Sequence, residues 1–107
     1  EVLPLFLANG VTTVFNLDGE RRHLAVRERV GRGELAGPTI YTAGPFADGS
    51  SVRSPADAQR FVRGQKQAGY DFVKLHGDLD RESFEALARA GRDEGIPIVG
   101  HAPRELP

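Results

Sequence analysis

The sequence predicts an α/β fold built on a parallel sheet, and three observations carry that reading. Four short apolar segments bounded by turn residues have the length and composition of strands: 11–15, 38–43, 71–75 and 96–100. Helical patterns fill the intervals, so strand and helix alternate along the chain. Strand starts near 11, 38, 70 and 96 lie 27, 32 and 26 residues apart, against the roughly 31 per unit of an eight-fold βα barrel. A doubly wound sheet uses units of similar size. The spacing therefore admits either a partial (β/α)8 barrel or a small open parallel α/β sheet.

The elements follow in order. Val2-Leu3-Pro4-Leu5-Phe6-Leu7-Ala8 reads as the end of an apolar helix, closed by Asn9-Gly10. The first strand, Val11 to Phe15, leads to a charged amphipathic helix from Gly19 to Val30, with Leu24, Val26 and Val30 as its apolar positions. After the strand Pro38 to Ala43 comes a better-capped helix: Ser54 as N-cap, Pro55 at its first position, Gly69 past its last turn. Ala58, Phe61, Val62 and Ala68 mark its apolar face. The third helix starts at Asp80, carries Phe84, Leu87, Ala88 and Gly91 on one side, and stops at Gly95 before the strand Ile96 to Gly100. A chain that opens inside an apolar helix and has no Met is expected to be a piece of one barrel domain, 1–107, truncated at both ends.

Composition narrows the function. The 107 residues hold 14 Lys plus Arg against 15 Asp plus Glu, a formal charge of −1. Such a balance offers no cationic footprint for nucleic acid or an anionic membrane surface. No run approaches the ~20 apolar residues that span a bilayer. With no cysteine, disulfides, thiolate nucleophiles and Cys-based zinc sites are excluded. Any metal would be held by nitrogen and oxygen. The expectation is a cytoplasmic protein acting on a small molecule.

The most informative segment is Tyr70-Asp71-Phe72-Val73-Lys74-Leu75-His76-Gly77. Period-two alternation puts Phe72, Lys74 and His76 on one face and Asp71, Val73 and Leu75 on the other. Lys74 is one of two lysines among fourteen basic residues, and it stands in the middle of an apolar strand. A buried ammonium is costly, so such a lysine is paired, neutral or modified. A neutral amine can form a Schiff base or take up carbon dioxide as a carbamate, an anionic oxygen ligand that can bridge two cations. The plainer reading is a lysine that snorkels to solvent or pairs with a carboxylate. His101 ends the last strand, where catalytic side chains collect in parallel α/β folds, and imidazole is the commonest metal ligand. A lone histidine at a strand end is also a common structural residue, and His76 is open to the same two readings. His23, among charged helix residues, reads as solvated surface. The loop from Gly44 to Ser51 matches no phosphate-binding fingerprint and reads as a strand-end loop shaping a pocket. Asp71 is expected to pack near helices, and Asp78 and Asp80 to start one.

Gly10-Val11-Thr12-Thr13-Val14, then Gly37 through Pro45, then the Lys74 strand, then Gly100-His101-Ala102 follow one another in register. In this order they resemble the metal-dependent amidohydrolase superfamily, in its imidazolonepropionase- and prolidase-like branch, over essentially the whole chain. The resemblance implies a (β/α)8 barrel of which these are strands two to five. It implies a metal centre at the carboxyl ends of the strands, with two divalent ions, zinc first among them. Lys74 matches the family's carboxylated bridging lysine, and His101 matches the histidine ligand ending the fifth strand. His76, facing the same way as Lys74, is expected to contact substrate or to support the metal ligands from outside, a reading that rests on its strand face. The activity implied is hydrolysis of an amide, cyclic amide or dipeptide-like C–N bond by metal-activated hydroxide. The family's His-x-His pair, its next histidine and its aspartate have no match in the 107 residues. Two ligands fall short of the three protein ligands a catalytic zinc usually takes, so no catalytic residue is assigned and the chain alone is expected to be inactive. Two rival readings stand beside this one. A half-barrel exposes strand edges and an apolar face and would self-associate as a homo-oligomer. A small flavodoxin-type sheet would bind phosphate or nucleotide, for which Asn16-Leu17-Asp18-Gly19-Glu20 is an acidic and poor loop.

Overall fold

A computed structural model describes residues 2–101. Its elements alternate as the sequence predicts: α1 (Leu3–Ala8), β1 (Thr13–Asn16), α2 (Arg21–Gly31), β2 (Thr39–Thr42), α3 (Pro55–Ala68), β3 (Val73–His76), α4 (Arg81–Glu94) and β4 (Ile98–His101). All strand pairing is parallel. β1 runs beside β2, from Thr13 opposite Thr39 to Asn16 opposite Thr42. β3 runs beside β4, from Val73 opposite Ile98 to His76 opposite His101. The middle seam is thinner. There Ala43 bridges Phe72 and Ala47 bridges Leu75, so the strands lie side by side in chain order.

The helix ends are set by the capping chemistry read from the sequence. The Ser54 hydroxyl accepts from the Asp57 amide of α3, and the Asp80 carboxylate from the Ser83 amide of α4. Each satisfies an amide that a first helical turn leaves unpaired. Gly69 and Gly95 close the same helices in the left-handed conformation. Helix α2 is capped differently: Glu20 accepts from the His23 amide while the His23 ring accepts from the Glu20 amide. α1 stops at Asn9, whose side-chain amide donates to the Leu5 carbonyl at 2.7 Å.

The core lies between one face of β3 and helices α3 and α4. Val73 and Leu75 meet Ala58 and Val62 of α3 and Ala86, Leu87 and Ala90 of α4 there. A fully buried aliphatic side chain contributes about 1.5–3 kcal/mol, so this layer holds much of the stability. Gln65 joins the buried face of α3, and Ala68, expected there, is exposed. At the foot of β3, Asp71 packs against a helix as expected. Its Oδ2 accepts from Arg27 of α2 at 2.7 Å and from the Thr42 amide of β2 at 2.9 Å. One carboxylate thus fastens three elements across the thin seam.

The strands are less buried than their composition suggests. Only β3 is covered on both faces until its last residue; β1 alternates exposed and half-buried positions, and β4 is mostly exposed. The reason is position. β1 and β4 are the outer strands among the described residues, and the sheet face opposite the helices carries no second layer. Phe15, Tyr41 and Val99 are accordingly exposed. Phe15 stacks on Tyr41 at 5.3 Å between ring centroids and meets Phe72 at 6.1 Å.

Candidate functional site

The helix-free face of β3 carries Lys74 and His76, continued by Phe72 just before the strand, because alternate residues of an extended chain point the same way. Lys74 is 7% exposed. Among the described residues its ammonium makes no ion pair and no hydrogen bond. Of the plainer sequence reading, a carboxylate partner for Lys74 is not found among the described residues.

His76 and His101 end β3 and β4 as paired residues of the ladder. Their rings meet edge to face, 5.5 Å between centroids and 89° between planes. Gly100, at φ 130°, brings β4 so close to β3 that a Cβ there would stand 2.1 Å from the Leu75 carbonyl oxygen. That approach places His101 beside its partner. Both histidines are exposed. Ala102 and Pro103, which complete the His101 motif, lie outside the described residues.

The loop after β2 forms the third side. Its Ala47 amide donates to the Lys74 carbonyl at 2.8 Å, and Ala47's own carbonyl accepts from the His76 amide at 3.0 Å. Phe46, one residue earlier, stacks on the His76 ring at 4.7 Å and 12°. The loop therefore does shape the top of β3, and Phe46 is the residue that sequence reasoning missed. Its serines are occupied internally. Ser50 Oγ donates to Asp48 Oδ1 at 2.6 Å, and Ser51 Oγ to the Phe46 carbonyl at 3.0 Å. The Ser50 hydroxyl and amide, with help from Ser51, hold the Asp48 carboxyl below the usual carboxylate range.

His23 differs from the sequence expectation. It is half-buried, and its Nδ1 lies 2.9 Å from Asn16 Nδ2 and 3.0 Å from the Glu20 amide. It ties the end of β1 to the start of α2, a structural task away from the Lys74 face.

The donor chemistry at the top of β3 and β4 is nitrogen and, if Lys74 is carboxylated, oxygen, which suits zinc and similar divalent ions. The fit is partial. Among the described residues no group of three or more His, Cys, Asp or Glu side chains is placed to hold a metal ion.

No protein-family model matches the sequence, and no curated protein sequence matches it. Solved structures do. The chain is similar to a bottromycin amidohydrolase, with a TM-score of 0.86 over 97% of its length at 29% identity. It is also similar to a Xaa-Pro dipeptidase with methionine bound in the active site, with a TM-score of 0.78 over 87% at 21% identity. A candidate prolidase from Bifidobacterium longum gives 0.77 over 94% at 21%. The fold is that of the amidohydrolase superfamily. The chain spans 25%, 32% and 30% of those three structures respectively, so its four strands and the helices between them correspond to part of an amidohydrolase barrel. The open-sheet alternative gives way to that reading. Among the described residues no helix is long and apolar enough to cross a membrane.

Proposed function

We propose that the chain carries part of the active centre of a metal-dependent hydrolase acting on the C–N bond of a small amide, cyclic amide or dipeptide-like substrate. One observation supports this above the others. Lys74 is buried without a counter-charge among the described residues, on the same strand-end face as His101. Carboxylation would convert that costly cation into an anionic oxygen ligand in place. In the proposal the strands are the second to fifth of the barrel, Lys74 as carbamate holds two ions, zinc being the first choice, and the His101 imidazole holds one of them. When bound, a divalent ion supplies carbonyl polarisation and hydroxide at neutral pH. The residues of this chain hold and orient. β3 holds the largely buried Lys74, the ladder sets His101 beside His76, and His76, on the same strand face as Lys74, can donate to a substrate oxygen. Two ligands fall short of a catalytic set, so metal retention without turnover is the expected behaviour of the 107 residues alone.

The test is an intact-mass spectrum under native conditions with bicarbonate and zinc, with metal content measured in parallel. The proposal expects a gain of one carbon dioxide together with bound zinc, and the loss of both on Lys74→Met. An unmodified, metal-free mass for a folded protein would sink it.

A further inference from the structure

The proposed metal site leaves one well-built feature unused: the loop after β2 ends in a ring held against His76. Phe46 is fixed by neighbours on both sides. Its carbonyl accepts from Ser51 Oγ, and the next residue, Ala47, is hydrogen-bonded to β3 through both amide and carbonyl. Asp48, bonded to Ser50 and Ser51, closes the loop behind it. The result is three rings in a row across three chain segments. Phe46 lies flat on His76 at 4.7 Å, and His76 meets His101 edge to face at 5.5 Å.

Both arrangements are ones that aromatic rings favour, within the range of about 4.5–7 Å between centroids. They restrict a torsion that is otherwise loose, since the outer torsion of a histidine has a broad, two-fold profile. A ligand whose ring is oriented before binding loses less freedom on binding. We infer that Phe46 is a positioning residue: by stacking on His76 it sets the plane of that ring, and His76 in turn sets the orientation of the His101 imidazole toward a bound cation. The consequence for metal binding rests on the reading of His101 as a ligand; the ring alignment itself does not.

Two substitutions separate orientation from bulk. Phe46→Leu keeps an apolar side chain on the half-buried loop but removes the flat face; Phe46→Tyr keeps the face. Three quantities are read on the protein: zinc affinity by chelator competition, thermal midpoint, and the ring-to-ring nuclear Overhauser effect between His76 and His101. For Phe46→Leu the inference expects zinc binding about ten- to a hundredfold weaker, the scale on which outer partners of a metal ligand act. The thermal midpoint should hold while the His76–His101 effect is lost, and Phe46→Tyr should restore both affinity and effect. Wild-type affinity in Phe46→Leu, or equal weakening in both variants, would overturn it. If the wild-type protein binds no zinc, the metal reading fails separately. The ring-to-ring effect then decides alone: its persistence in Phe46→Leu refutes the positioning role, and its loss with recovery in Phe46→Tyr upholds it.

Discussion

Replacing Gly100 by alanine should separate β4 from β3, and the cost can be worked from the geometry. Gly100 has φ 130°, and a Cβ on it would stand 2.1 Å from the Leu75 carbonyl oxygen and 3.1 Å from both the carbonyl carbon and the amide nitrogen of Leu75. All three are backbone atoms of a neighbouring strand, so no side chain can swing aside. Two costs follow. A residue with a Cβ forced into that backbone region is strained by about 1–3 kcal/mol. Opening the ladder by the ångström or so that would relieve the clash weakens hydrogen bonds worth about 0.5–1.5 kcal/mol each. Together they give about 2–5 kcal/mol, a large part of a small domain's stability. Gly64, within α3, has nothing within 4 Å of its would-be Cβ. There the same substitution should stabilise by about 0.5–1 kcal/mol, because alanine is the better helix former. Urea unfolding of both variants reads the contrast. A Gly100→Ala protein as stable as wild type would refute the account of how β4 is seated, and of what sets His101 beside His76.

Other outcomes are open to direct measurement. Asp71→Ala removes a charge-assisted bond to Arg27 and the acceptor for the Thr42 amide; with Asp71 and Arg27 both partly covered, it should cost about 1–3 kcal/mol in chemical denaturation, and Arg27→Ala should cost less. The Asp48 carboxyl is depressed in the folded state, so the order it lends the loop is fully present above its ordinary value of 3.8 and is lost only as pH falls through the lower folded value. Ser50 amide shifts followed by NMR should stay constant down to that region and move below it. The exposed Phe15, Tyr41 and Val99 face is proposed to drive self-association of the 107-residue chain when expressed alone. Size exclusion should show oligomers that Phe15→Lys disperses, and a monodisperse monomer would count against it.

Local chemistry was the legible part of this fold. Ser54, Gly69, Asp80 and Gly95 sit where capping rules put them because a cap bonds within its own turn. Lys74 stood out because a charge in an apolar strand is anomalous whatever surrounds it, and its low exposure follows. What escaped depends on contacts far apart in sequence. His23 looked like surface because its neighbours in the chain are charged, but its hydrogen-bond partner Asn16 is on the preceding strand. The Phe46–His76 stack spans thirty positions and depends on how an irregular loop folds back onto β3, which no periodicity encodes. The exposure of β1 and β4 was equally hidden, since an apolar strand reads alike whether its second face is covered or open.

The unequal seams of the sheet bear on how the molecule breathes. Among the described residues the hydrophobic cluster runs from Ala47 to Ile98, while β1, α2 and β2 are tied across the seam by two isolated bridges, the bonds of Asp71 and the Phe15–Phe72 contact. Elements sharing one core open together, and those attached by a few bonds open first. Native-state amide exchange should therefore resolve two cooperative units. The slower one contains α3, β3 and α4, and with them the backbone that carries Lys74. The faster one contains β1 and α2, which can detach and return many times while the lysine strand stays folded.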